Sequence, residues 1–189
     1  VVDPEIPSIY QTNKSDYNPN YDRGHLCASA DRFYSQEANN QTFYYSNMSP
    51  QLNAFNAGIW MYLENKVRKW GYDRSLCDTL FITKGGTINS EDMIMSYTKT
   101  GTHKVAVPKY YFMALLAKKG NTYHAIGFLL EHRNNYPSSK FGFEQYAMTI
   151  KELEKRTKID FFPNLPDNIE KNVENIIDPS FWKNLNSDN

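Results

Sequence analysis

The chain has 189 residues, with 21 Lys plus Arg balanced by 21 Asp plus Glu, 15% aromatic residues and two cysteines. That length suits one domain. The cancelled charge excludes a partner selected by bulk electrostatics, but not an enzyme that needs only a local basic patch or borrows charge from a metal. No run of 18 or more apolar residues is present, so no transmembrane helix is expected.

The first stretch, residues 1–20, is rich in Pro, Asn and Asp and carries no signal-peptide pattern. It reads as an irregular lead-in to a trimmed chain from which any export signal has been lost. "YDRGHLC" follows, placing Asp22, Arg23, Gly24 and His25 side by side. "TFYYSNM" reads as a short aromatic strand. "SPQLNAFNAGIWMYLENKVRKWGYD" is the clearest helix, with Ser49-Pro50 as its start signal and Gly71 as its stop. "DTLFITKGG" reads as a buried strand. "KVAVPKYYFMALLAKKG" and "TYHAIGFLLEH" read as two strands joined by a turn at Gly120-Asn121. "FEQYAMTIKELEKRT" ends in a helical pattern, and "FFPNLPDNIEKNVENII" is a Pro-punctuated turn leading to another helix. Strands linked as hairpins and interspersed with helices predict an α+β fold, with a mainly antiparallel central sheet flanked by helices.

On a helical wheel Phe55, Ile59, Trp60, Tyr62, Leu63, Val67 and Trp70 form one apolar arc. Asn56 falls inside it, and Glu64 and Arg68 lie on its edge. A buried amide must be bonded. Asn56 therefore either bridges backbone groups or offers its carbonyl oxygen to a hard cation such as Mg²⁺, which needs only one or two protein oxygens. Glu64, two turns along, could accept hydrogen bonds from metal-bound water. Taken singly, each residue has an ordinary reading: His25 as a bonded turn histidine, Asp22 and Arg23 as a pair, Glu64 as a solvated glutamate. Taken as a set, they are what phosphodiester hydrolysis requires: a neutral histidine as base, a metal site, and arginines for charge developing on the phosphate. Gly24 would let the backbone turn sharply beside them. Cys27 and Cys77 permit one disulfide or two buried thiols. No CxxC or HxxxH spacing supports a zinc site with His25 and His103.

These residues resemble the DNA/RNA non-specific endonucleases, the sugar-non-specific bacterial nucleases and endonuclease G within the ββα-metal (His-metal finger) group. The resemblance is carried by "DRGH", by "QTFYYSNMSPQLNAFNAGIWMYLE" and by the 31-residue separation of His25 and Asn56. "DTLFITKGG", "KVAVPKYYF" and "IDFFPNLP" extend it over about residues 21–167. It implies one nuclease domain over residues 1–189, with the ββα-metal catalytic segment at 21–70 and a C-terminal helical extension at 166–189. It further implies His25 as general base and Asn56 as the sole direct protein ligand of Mg²⁺, or of Mn²⁺ or another divalent ion. Glu64 would hold metal-bound water, Arg23 and Arg68 would meet phosphate, and Asn47 would support the loop around His25; Asp22 is left as a structural partner.

The implied products are 5′-phosphates, the implied partners DNA and RNA, with a homodimer and an inhibitor protein left open. A non-catalytic binding module on a decayed scaffold and a sequence-reading nuclease are the competing functions. The resemblance also favours a Cys27–Cys77 bridge in a secreted or periplasmic protein. Two departures are the Ala28 where many members carry Pro, and Lys84-Gly85-Gly86 where Gly-Pro is usual; both are expected to leave the catalytic residues untouched. Members usually carry further strands, and another arginine, before the DRGH segment, so the chain is expected to start after them.

Overall fold

The computed structural model describes residues 1–17, 19–137 and 142–186. Its centre is a four-stranded antiparallel sheet in the order β3 (Thr79–Gly86), β6 (Tyr110–Lys119), β7 (Thr122–Glu131), β8 (Ala147–Met148). The antiparallel sheet and flanking helices are the predicted α+β architecture. β6 and β7 form the predicted hairpin, closed at Gly120 with φ 55°, a backbone value that favours glycine.

The nearly unbroken apolar run of β6 follows from its place in the middle. Tyr111, Met113, Leu115 and Ala117 face one core with Phe55, Ile59, Leu63, Val67 and Trp70. Phe112, Ala114 and Leu116 face a second core with Ile150, Leu153 and Phe161. A strand covered on both faces has no polar alternation to keep. The helix α3 (Ile150–Thr157) supplies the second cover and starts where Thr149 Oγ1 accepts the Glu152 N–H. Helix α4 (Asp167–Val173) follows the Pro-rich turn. Residues 187–189 of the expected C-terminal extension lie outside the described residues.

Several expectations are corrected. "TFYYSNM" is not a strand: Tyr45–Asn47 is a tight turn, and the strand is β2, Met48–Gln51. Ser49 and Pro50 therefore pair with the DRGH strand rather than start the helix. That helix, α2 (Met61–Tyr72), is entered through a wide π-turn at Phe55–Trp60, broken at Gly58 (φ −106°, ψ −121°). Gly71 lies inside its last turn. β3 is not buried; it is an edge strand with one neighbour, and Phe81 and Ile82 are 47% and 42% exposed. The expected strand through "KVAVPKYYF" breaks at Lys109, because Ala106–Pro108 (β5) pairs instead with Ile94–Tyr97 (β4). Between the DRGH strand and β2, Gln36–Gln41 forms a short helix, α1.

His132 ties this frame to the segment between β2 and α2. Its Nε2 accepts the Leu52 N–H at 2.7 Å and its Nδ1 lies 3.0 Å from the Pro108 carbonyl, which fixes the proton on Nδ1. The Leu52 carbonyl in turn accepts the N–H groups of Phe55 and Asn56. Burial pushes the His132 imidazole down to about 4, against a weaker upward pull from the Pro108 carbonyl. A group whose folded value is depressed below its unfolded value of 6.5 leaves the unfolded chain binding the extra proton as pH falls. Stability is therefore lost between about pH 6.5 and pH 4, by up to about 3 kcal/mol from this group. Urea unfolding at pH 7 and pH 4.5 should show the loss, and His132→Leu should shrink the difference between the two pH values.

Candidate active site

Strand β1 (Asp22–His25) pairs antiparallel with β2, with Asp22 opposite Gln51, Gly24 opposite Ser49 and His25 opposite Met48. Tyr111 fixes β2 from the core, donating to the Pro50 carbonyl at 2.9 Å and lying 2.7 Å from Ser49 Oγ. Gly24 does not turn the chain as the sequence suggested. It sits within the strand, and a Cβ there would overlap the side chain of the fully buried Gln51. Its requirement is close approach. Gly24→Ala should cost about 1–3 kcal/mol through overpacking, measured as a drop in thermal midpoint; an unchanged midpoint would refute the role.

His25 ends β1 with its ring edge-on to Phe43, centroids 5.1 Å apart. Its Nε2 is enclosed without a hydrogen-bond partner among the described residues, and no described residue bonds Nδ1. Nδ1 is the nitrogen a water can reach. Burial, then the charges of Lys84 and Arg23, lower its pKa. The neutral imidazole is thus favoured, the form a general base needs. Beyond His25 the chain is clamped by Asn47. Its Oδ1 accepts the Cys27 N–H at 2.8 Å, and its Nδ2 donates to the carbonyls of Cys27 and Thr42 at 2.9 and 2.8 Å.

Asp22, the residue with the least definite expectation, has two partners. Its Oδ2 accepts Asn56 Nδ2 at 2.9 Å and Asn53 Nδ2 at 3.0 Å. A carboxylate only accepts, so the Asn56 amide group must face Asp22 and its Oδ1 must face away. The strand thereby sets which atom the π-turn presents. Among the described residues no group of three or more His, Cys, Asp or Glu is gathered for a metal. A single amide oxygen held in this way suits a hard cation that keeps most of its water.

Glu64 and Arg68 project from α2 into a four-membered charge cluster. Lys84 Nζ is 2.7 Å from Glu64 Oε1 and 3.6 Å from Asp31 Oδ2, and Arg68 Nε is 2.8 Å from Asp31 Oδ1. Burial raises the Glu64 pKa, while the Lys84 ammonium opposes that shift. Asp31 and Lys84 were not among the site residues read from sequence. Lys84 belongs to the Lys-Gly-Gly departure thought to lie clear of the catalytic residues; instead it touches Glu64. Arg23 is exposed at the edge of β1.

The expected disulfide is corrected: Cys27 and Cys77 are both free. Cys77 is fully buried with its Sγ 3.6 Å from the Trp70 carbonyl, whereas Cys27 Sγ accepts Arg32 Nε at 3.3 Å. The two thiols belong to separate environments, the core under the end of α2 and the surface beyond β1. The helical wheel also misplaced Tyr62, at the edge of the apolar arc, which is 42% exposed while the arc's other members are buried.

Comparison with known proteins gives this geometry a family. The model of the family described as DNA/RNA non-specific endonuclease matches residues 1–168. The chain is 31% identical over 169 residues to nuclease C1 of Cunninghamella echinulata var. echinulata, an alignment covering 86% of this chain and 66% of that protein. It is 30% identical to the mitochondrial nuclease 1 of Schizosaccharomyces pombe, over 92% of this chain and 56% of the relative. To the mitochondrial endonuclease G of Bos taurus it is 30% identical, over 86% and 55%. The chain thus spans about half to two thirds of the length of these relatives. Its fold resembles that of a chain in the crystal structure of the EndoG/EndoGI complex, with a TM-score of 0.72 at 22% identity, over 88% of this chain and 69% of that one. The expectation of a secreted or periplasmic setting is overturned, since the nuclease 1, EXOG and endonuclease G relatives are mitochondrial proteins. With the model match running through both halves of the site, the chain belongs to the DNA/RNA non-specific endonuclease family.

Proposed function

We propose that this chain forms a single nuclease domain that hydrolyses phosphodiester bonds in DNA and RNA with the help of a divalent metal, leaving 5′-phosphates. The observation that carries the proposal is the Asp22–Asn56 bond, which turns the Asn56 amide nitrogen to the carboxylate and leaves its carbonyl oxygen for a cation, with His25 at the end of the same strand as Asp22. His25 takes a proton from the attacking water at Nδ1. Asn56 Oδ1 holds the metal directly, and Glu64 accepts hydrogen bonds from its water shell. A bound Mg²⁺ or Mn²⁺ supplies charge stabilisation at the phosphate and the leaving oxygen. Arg23 and Arg68 add positive charge where the phosphate gains negative charge. Contacts of this kind go to the phosphate and carry no direct base information, and they need no 2′-hydroxyl, so both nucleic acids are substrates. The EndoG neighbour was solved with EndoGI in a study of EndoG inhibition, and an inhibitor protein is the corresponding partner proposed here.

Plasmid DNA and RNA incubated with the protein in Mg²⁺, Mn²⁺ or EDTA test this reading. The expected result is metal-dependent cleavage of both, with product ends that ligate without prior phosphorylation. Salt-sensitive binding without turnover in any divalent metal would replace the proposal with a non-catalytic module.

A further inference from the structure

A cavity of about 610 Å³ opens against the charge cluster, walled by Cys27, Asp31, Arg32, Asn47, Thr83 and Lys84. A second, of about 390 Å³, shares Cys27, Arg32 and Asn47 and adds Tyr34. The two share these walls, and the larger is a trough beside Leu26 and Cys27, just past the end of β1. Its cations differ in their bonding. Lys84 is neutralised by Glu64 and Asp31. Arg32 has no carboxylate partner among the described residues: its Nε donates to Cys27 Sγ at 3.3 Å and its Nη1 to the Tyr34 hydroxyl at 3.0 Å. Neither acceptor is a carboxylate, and the two contacts hold the exposed side chain in place.

The turn that carries Arg32, Ser29–Arg32, is anchored at the neighbouring residue, since Asp31 bonds Arg68 of α2. On the other side Arg32 bonds Cys27, two residues beyond His25. An arginine without a carboxylate partner among the described residues, on the wall of a trough lined by Leu26 and Cys27 just past His25, has the form of an anion receptor. A planar guanidinium matches phosphate oxygens in bidentate geometry.

We propose that Arg32 binds a backbone phosphate of the substrate strand next to the scissile one, in the trough between Cys27, Asn47 and Lys84. This rests on the nuclease reading above and adds a substrate-binding residue to it. The contact is to phosphate, so it raises affinity for any sequence alike. The occupant is a polynucleotide longer than the scissile dinucleotide.

The test uses the full chain carrying His25→Ala, so that binding is read without turnover. Anisotropy of a labelled oligonucleotide is followed through a NaCl series for this parent and for the same chain with Arg32→Gln, Arg32→Lys or Lys155→Gln. Lys155 lies exposed on α3. Each lost phosphate contact lowers the slope of log affinity against log salt by about one. The expected result is that loss for Arg32→Gln, with about tenfold weaker binding at low salt, a retained slope for Arg32→Lys, and no change for Lys155→Gln. An Arg32→Gln slope equal to the parent's, with circular dichroism unchanged, would overturn the proposal and leave the nuclease reading standing. A parent that shows no salt-sensitive binding at all would overturn both.

Discussion

Replacing His25 with Ala should lower the turnover of plasmid DNA by about 10²–10⁴-fold, the usual contribution of a positioned general base, with the thermal midpoint little changed. The side chain meets Phe43 at the surface end of β1 and makes no hydrogen bond that the fold depends on. The same residue sets the pH profile. Its pKa lies below 6.5 through burial and the nearby Lys84 and Arg23 charges. Only the neutral form accepts a proton, so activity rises with pH through that lowered value. Lys84→Met removes one of the opposing charges and should move the acid limb of kcat/KM toward higher pH. A profile that does not move would show that the limb belongs to another group. Turnover by His25→Ala within threefold of the parent would remove His25 from the role of base.

Much of the fold was legible because β6, β7 and α2 carry their patterns locally. An apolar run, a Gly-Asn turn and a 3.6-residue stripe each decide their own structure. The failures occur where long-range pairing overrides local signals. Ser49-Pro50 has the form of a helix start, but its register opposite Arg23 and Gly24 makes it a strand. The wheel placed Phe55, Ile59 and Trp60 in the core correctly despite the π-turn, and missed at Tyr62, on the edge of the arc. The candidate residues His25, Asn56, Glu64 and Arg68 could be found from spacing, since each lies on a short segment with a readable pattern. Lys84 and Asp31 could not, as one sits on an edge strand and the other on a short turn, and only the tertiary fold brings them to Glu64 and Arg68. A signal for Lys84 did exist, a charged residue where small ones are usual, beside a strand otherwise suited to burial.

That cluster also opposes the rise that burial imposes on the Glu64 pKa. Asp31 and Glu64 carry two negative charges, Arg68 and Lys84 two positive ones, and all four side chains are at least 70% shielded. Removing one member leaves its partner poorly paired in a partly dry site, which costs more than the pair is worth. Outside the cluster, Arg23 and Arg32 are exposed and add to the positive charge that Arg68 offers a polyanion. An overall net charge of zero is therefore compatible with a locally basic approach to His25.

Asp22→Ala should raise the divalent-metal concentration needed for half-maximal cleavage about 10–100-fold, the usual cost of losing a group that orients a metal ligand. Asp22 touches neither the proposed metal nor the substrate. It acts by accepting the Asn56 amide N–H, which leaves only the carbonyl oxygen for the site. With alanine there, the amide can turn over and present two donors to a cation, an arrangement that binds nothing. Asn53 shares the same carboxylate oxygen but lies exposed, three residues before Asn56. Asn53→Ala should consequently leave the metal dependence unchanged and serves as the control for general loosening of the turn. Nucleic-acid affinity measured in EDTA should not fall in Asp22→Ala, because Asp22 bonds the Asn53 and Asn56 amides and not a phosphate-binding arginine. If the metal requirement of Asp22→Ala matches that of the parent while its fold is intact, Asn56 is oriented by something other than Asp22. If nucleic-acid affinity in EDTA falls in step with activity, Asp22 holds the whole strand in place rather than one amide.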